Sequence, residues 1–133
     1  MSIITDTTIL SLISKEVQLE NIPKDLIIQM KKFNKGIGLS AIQLGVPLRI
    51  FRLRNPDLIF INPMLLKESR FCLCKESCIS RPGIRVYKVR PTSLVVKAFN
   101  EKGELFYFIA EYIIARIISH ELDHLNGIYL GME

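Results

Sequence analysis

The chain has 133 residues, the size of one domain with a substantial buried core. Apolar residues make up 49% of it, without repeats or low-complexity tracts, which excludes a disordered or fibrous protein. No apolar run approaches the roughly 18 residues of a membrane-spanning helix, and the N-terminus lacks the basic start of a signal peptide. We therefore predict a single domain over residues 1–133, cytoplasmic and without a membrane partner.

The charge and the cysteines agree with this prediction. The net charge of +5 is compatible with weak attraction to a polyanion such as the ribosome, but the basic residues are dispersed, which favours ordinary solubility. Three cysteines are an odd number, and without secretory features they favour reduced thiols over a disulfide framework.

Two helices are predicted near the N-terminus. Asp6 can cap a first helix that runs to about Glu16. A second helix has Pro23 in its first turn and stops before Gly36, because an apolar stripe lies between them and glycine ends helices.

The stretch that follows, from Gly36 to Gly45, is apolar and flanked by glycines. We interpret it as an extended segment that runs inward, with Gln43 as its one polar side chain able to reach a site. The alternative, structural interpretation is that Gln43 is a buried amide whose hydrogen bonds are made within the core.

Strands account for most of the remaining chain. They are predicted over residues 48–53, 58–66, 71–79, 92–99 and 105–108, with turns at Asn55-Pro56-Asp57, at Arg81-Pro82-Gly83 and over residues 100–103. The sum is an α+β fold, in which antiparallel strands wrap around a buried C-terminal metal-binding helix.

That helix is predicted from Ile109 to Leu125 and contains the pattern H-E-x-x-H at residues 120–124. Residues four apart lie on one helix face, so His120 and His124 project together with Glu121 beside them. Two histidines and a carboxylate so placed suit a metal ion that activates a water. Most of the helix circumference is apolar, which predicts burial, and buried histidines without a ligand are costly.

A catalytic metal site needs about one more protein ligand. Only nine residues follow His124, and Glu133 at the terminus is a poor ligand, so the third donor is expected upstream. Cys78 is favoured because a predicted turn follows it closely. A structural zinc site that uses Cys72 or Cys74 competes with this interpretation, although it leaves Glu121 without a role.

Three separated stretches carry a family resemblance. Residues 36–43 read GIGLSAIQ, residues 76–80 read ESCIS, and residues 120–124 read HELDH. Together, and in this order, they resemble the three motifs of peptide deformylase, and the resemblance covers about nine-tenths of the chain. It implies a hydrolase that acts in protein biosynthesis and N-terminal methionine processing, by removing the formyl group from the formylmethionine of nascent polypeptides and releasing formate.

The resemblance also implies a metal site. One divalent ion, natively Fe2+ with Zn2+, Ni2+ or Co2+ as alternatives, would be held by Cys78, His120 and His124. Glu121 would act as general base on a water and then pass the proton to the leaving amine. N-formylmethionyl peptides are the implied partners, and a monomer is expected.

Further roles follow by matching position. The Gln43 amide and the backbone N–H of Ile79 would stabilise the oxyanion, and Arg90 would pair with a glutamate of the second motif. The residues expected to contact substrate are Ile37, Gly38, Glu76, Ser77, Ile113 and Ile117.

Departures from the family pattern leave alternatives open. Ser77, Ser119 and Ser40 replace a glycine, a glutamine and an alanine, and serine at 77 would strain a loop that needs positive φ. The chain is also short, as in viral or organellar-type minimal forms, so it would reach the ribosome by weak electrostatic association, in the host cytoplasm if viral. A minimal zincin-like peptidase and a non-catalytic binding protein with a structural metal are the competing functions.

Overall fold

A long antiparallel hairpin organises the protein. It consists of β3 (Asp57–Cys78) and β4 (Arg81–Phe99), in a computed structural model that describes residues 2–132. The sequence predicted two strands where β3 runs unbroken. Pairing across the hairpin explains the difference, because residues 67–69 pair with residues 93–95 of β4 and carry the strand through the predicted gap. At Asn62, whose side chain bonds the N–H and the carbonyl of Val17, the strand passes Pro63 with a register shift.

The turn of the hairpin begins two residues earlier than predicted. Residues 79 and 80 form the turn, and Arg81 already pairs with Cys78, so Arg81-Pro82-Gly83 belongs to β4. Cys78 therefore stands at the last position of β3.

Three further strands complete one antiparallel sheet in the order β1-β2-β3-β4-β5. They are β1 (Gly38–Ser40), β2 (Ile50–Arg54) and β5 (Leu105–Glu111). The prediction of a fully extended segment from Gly36 to Gly45 was wrong, because a 3₁₀ helix (Ala41–Leu44) follows β1. A capping box explains this helix. The backbone N–H of Ser40 donates to the side-chain oxygen of Gln43, and the backbone N–H of Gln43 donates to the side chain of Ser40.

The C-terminal helix α3 (Tyr112–Leu125) packs on one face of this sheet. It follows α1 (Thr7–Leu10) and α2 (Lys24–Lys32) in the chain. It begins three residues later than predicted, since residues 109–111 continue β5. Its apolar side packs on the core of the sheet around Phe51, Phe60 and Val96. Its first turn is exposed to solvent, and Ile113 is 57% exposed.

The N-terminal region covers the sheet elsewhere. Asp6 caps α1 as expected, with its carboxylate 2.9 Å from the Thr8 nitrogen, but the helix ends at Leu10 and the prediction of a helix to Glu16 was wrong. After Leu10 the chain leaves the helix and contacts the end of α3, where the Ser14 N–H donates a hydrogen bond to the Leu125 carbonyl. A 3₁₀ turn (Leu19–Asn21) and α2 then close a second apolar core.

The predicted fold class is confirmed: the protein is α+β, with an antiparallel sheet and a largely buried C-terminal helix. Within residues 2–132, no helix has both the length and the apolarity that crossing a bilayer requires. Glu133, which the sequence made a poor ligand candidate, lies outside the described residues.

Candidate active site

Two elements bring together three side chains that could hold a metal ion. Cys78 lies at the end of β3, and His120 and His124 lie one turn apart on α3. Their ligand atoms are all within 4.8 Å of one another. Cys78 and the two histidines are more than forty residues apart in the sequence. The fold brings them together because the end of β3 lies next to α3.

The spacing fits a metal. The Cys78 sulfur lies 3.4 Å from His124 Nε2, and a tetrahedral ion with ordinary bonds to sulfur and nitrogen would separate them by about 3.6 Å. His120 Nδ1 lies 3.2 Å from a Glu76 carboxylate oxygen, which leaves His120 Nε2 free for a ligand. The Nδ1 of His124 is buried without a protein partner in the described part of the chain.

The two histidines differ electrostatically. Burial lowers the pKa of His124 to about 3, helped by repulsion from His120 and Arg90, so this ring is neutral and offers a lone pair. Burial alone would also lower the pKa of His120, but hydrogen bonds with Cys78 and Glu76 raise it to about 10. His120 thus holds a proton where a cation fits, and a soft thiolate with two imidazoles is a donor set for Fe2+ or Zn2+.

A buried charge network holds His120 in place. Arg90 donates two hydrogen bonds to Glu76, at 2.7 and 2.9 Å, and a third to Asp123 at 2.7 Å. Arg90 is only 3% exposed. Burial would raise the pKa of Glu76, but the hydrogen bonds from His120 and Arg90 bring it down to about 2, so this carboxylate is charged. A charged Glu76 fixes the tautomer and orientation of His120.

Glu121 is the most enclosed acid of the site, at 3% exposure. Burial raises its pKa, against the attraction of His120 and the hydrogen bond from Ser40. The Ser40 hydroxyl donates to Glu121 Oε1 at 2.6 Å. On the other side Gly38 lies so close that a Cβ there would be 2.5 Å from Glu121 Oε2. Ser40 and Gly38 of β1 thus hold the carboxylate in one position.

Gln43 reaches the same centre from the 3₁₀ helix. Its Oε1 accepts from the Ser40 N–H at 2.9 Å, which turns its amide nitrogen toward the site. That nitrogen donates to Ser80 Oγ at 3.0 Å and lies 3.7 Å from the Cys78 sulfur. The N–H of Ile79, in the turn after Cys78, donates to no acceptor within residues 2–132. Two hydrogen-bond donors therefore lie near Cys78.

A cleft of about 270 Å³ opens beside these groups. All six residues expected to contact substrate line it, namely Ile37, Gly38, Glu76, Ser77, Ile113 and Ile117. The strain predicted for Ser77 does not arise, since its φ is not among the positive values of the described non-glycine residues. Sequence reasoning missed Arg116 as a lining residue, although its spacing of four from His120 placed it on the same helix face.

The other two cysteines stay apart from this centre. Cys72 and Cys74 belong to no group of three metal-binding side chains among the described residues. The geometry thus gathers the histidines around Cys78, and the competing site with Cys72 or Cys74 gains no support.

Comparisons with known proteins agree on one family. Residues 3–132 match the family model described as Polypeptide deformylase. The peptide deformylase of Borreliella burgdorferi is 36% identical over 125 residues, which cover 86% of this chain and 76% of that protein.

Solved structures are similar along nearly the whole chain. One is the crystal structure of a PDF from the Vibrio parahaemolyticus bacteriophage VP16T in complex with actinonin. It superposes with a TM-score of 0.92 at 33% identity, and the match covers 98% of this chain and 100% of that chain. A class I type b peptide deformylase from Acinetobacter baumannii superposes with a TM-score of 0.91 at 29% identity, covering 98% of this chain and 96% of that chain.

Proposed function

This chain belongs to the polypeptide deformylase family, and on that premise we propose how its residues share the reaction. The protein is a metal-dependent hydrolase that removes the N-formyl group from the formylmethionine of nascent polypeptides and releases formate. The bond cleaved is a linear amide other than a peptide bond. The observation that carries the assignment is the convergence of Cys78, His120 and His124 beside the buried Glu121.

Cys78, His120 and His124 would hold one divalent ion. When bound, such an ion polarises a carbonyl and makes a water nucleophilic at neutral pH. We propose Fe2+ as the native metal, with Zn2+, Ni2+ and Co2+ as substitutes, because a thiolate with two imidazoles accommodates all four. The hydrogen bond from His120 to Glu76 keeps the ligating nitrogen directed at the ion.

Glu121 acts on protons in this proposal. Its carboxylate takes a proton from the attacking water and passes it to the amine that leaves. Burial, which raises its pKa, suits a group that must bind and then release a proton. Ser40 fixes one carboxylate oxygen by its 2.6 Å hydrogen bond, so the other oxygen carries the proton.

Gln43 and Ile79 would stabilise the negative oxygen that develops on the formyl group. The amide nitrogen of Gln43 lies 3.7 Å from the Cys78 sulfur, and the free N–H of Ile79 belongs to the next residue, so both can reach an oxygen placed beside the sulfur. One such donor is worth about 3 kcal/mol of barrier. Ser80, which accepts from Gln43 in the free protein, keeps that amide in position.

The peptide would enter the cleft as an added strand. β1 is the edge of the sheet, and the end of β3 near Ser77 pairs only with β4, so both present unpaired backbone groups toward the cleft. The backbone at Gly38 and Ser77 can thus bond the peptide, with Glu76 behind it. Ile37, Ile113 and Ile117 would form the apolar pocket for the methionine side chain.

The setting of the enzyme completes the proposal. Residues 1–133 act as one catalytic domain, as a monomer in the cytoplasm. The +5 charge supports weak electrostatic association with the ribosome. Ribosome co-sedimentation should therefore fade as salt rises, and tight binding that resists salt would contradict this part.

Formate release from formyl-Met-Ala-Ser, by protein purified without oxygen, tests the function, with metal measured on the same sample. We expect one metal per chain and activity that depends on it. Gln43→Ala and Cys78→Ser should each lose activity, and full retention in both would favour a zincin-like peptidase. Absence of formate release from fully metallated protein would overturn the proposal.

A further inference from the structure

The reaction above leaves two neighbouring thiols without a role. Cys72 and Cys74 lie two apart on β3, so their side chains share one face of the strand. Their sulfur atoms are 3.1 Å apart. Cys72 is exposed, whereas Cys74 is 9% exposed. An accessible thiol in contact with a protected one is the arrangement of an exchanging dithiol.

The pair is continuous with the network that holds the site. Cys72 pairs across the hairpin with Arg90, the residue that holds Glu76 and Asp123. Cys74 precedes Glu76 by two residues on the same strand face. A change of backbone at the thiols is therefore felt at Glu76 and, beyond it, at Cys78.

We propose that Cys72 and Cys74 form a redox-active dithiol, which a small-molecule disulfide oxidises to a disulfide within β3. The thiolate of one cysteine attacks the reagent disulfide, forms a mixed disulfide and releases one reagent thiol. The second cysteine, as thiolate, attacks the sulfur of the first and releases the other reagent thiol. The two cysteines lose two electrons and two protons, and the reagent disulfide is reduced to two thiols.

Strand geometry makes this disulfide reversible. Residues two apart in an ideal strand have Cα atoms about 6.6 Å apart, near the upper limit of about 6.8 Å for a disulfide. Closure at the most common separation of about 5.5 to 6 Å shortens β3 locally, and strained disulfides are readily reduced. The same shortening shifts Glu76 and Cys78. We thus expect the disulfide to lower formate release, a consequence that rests on the function proposed above.

Trypsin separates the thiols cleanly. It cleaves after Arg70 and after Lys75, so residues 71–75 leave as a peptide with Cys72 and Cys74, while Cys78 is in the next peptide. Metal-loaded full chain treated with oxidised glutathione should yield the 71–75 peptide lighter by two hydrogen atoms. The lighter peptide should disappear after excess reduced glutathione.

Single variants and a second probe keep the test decisive. Cys72→Ser and Cys74→Ser should not form the lighter peptide. Phenylarsine oxide, which bridges two adjacent thiols, should modify residues 71–75 of the native protein once per chain and neither variant stably. A 71–75 peptide that stays unchanged, or that stops at a glutathione adduct, would overturn the dithiol.

Formate release tests whether the disulfide affects the active site. Formate release should fall several-fold when the disulfide closes, recover on reduction, and stay constant in the double variant Cys72→Ser, Cys74→Ser under the same treatment. Undiminished release by the closed form would overturn the coupling to the site. If the reduced protein releases no formate at all, the proposed function fails, while the mass of the 71–75 peptide still decides the dithiol.

Discussion

Replacing Gly38 by alanine tests whether the position of the Glu121 carboxylate controls the reaction. A Cβ at residue 38 would lie 2.5 Å from Glu121 Oε2 and 2.9 Å from Ile117 Cγ2. An ordinary contact begins at 3.4 Å, so the carboxylate must move by about 0.9 Å or break its bond to Ser40. A misplacement of about 1 Å in a reacting group costs roughly 100-fold in rate, or about 2.7 kcal/mol of barrier.

The assay is the turnover of a formylated peptide by metal-loaded Gly38→Ala, with urea unfolding on the same protein. We expect kcat to fall about 100-fold with full metal content, and stability to fall by only about 1 to 3 kcal/mol from overpacking. Gly83→Ala is the control for backbone strain: its φ of +79° makes alanine unfavourable there, a cost that Gly38 does not share, and nothing lies within 4 Å of the new methyl group. Wild-type kcat in Gly38→Ala would refute the reasoning.

Three further substitutions test the site. Glu121→Gln should keep the metal and lose several orders of magnitude in kcat, measured by formate release and metal analysis, and comparable turnover would exclude the proton-transfer role. Arg90→Met should lower the free energy of unfolding by about 3 to 5 kcal/mol in urea, because it strands the buried Glu76, whereas exposed Arg85→Met should change it little. Cys78→Ser should lose stoichiometric metal and Cys72→Ser should retain it; equal metal loss in both would point to a structural site.

The sequence was most informative where a local pattern decides the outcome. The spacing of four between His120 and His124 determines that both face one way, whatever the rest of the fold does. An upstream third donor was predicted because the chain has no other histidine and few residues after His124, and the structure places Cys78 beside both histidines. The Gly36–Gly45 stretch was misjudged, since its 3₁₀ helix depends on the capping box between Ser40 and Gln43.

What remained hidden depends on contacts distant in sequence. The unbroken β3 requires residues 67–69 to pair with residues 93–95 of β4, 24 to 28 residues away. The early end of the first helix depends on the bond from Ser14 to Leu125. The role of Ser40 beside Glu121 joins residues 81 apart, so no local pattern could show it.

The buried charges around His120 are better explained by chemistry than by stability. Replacing a buried ion network with apolar side chains is often neutral or stabilising, so Arg90, Glu76 and Asp123 are not needed to hold the sheet to α3. Their geometry has a different consequence: a charged Glu76 accepts the Nδ1–H of His120 and so directs the opposite nitrogen at Cys78. A core of aliphatic residues at these positions would keep the fold and lose the orientation of the His120 ring.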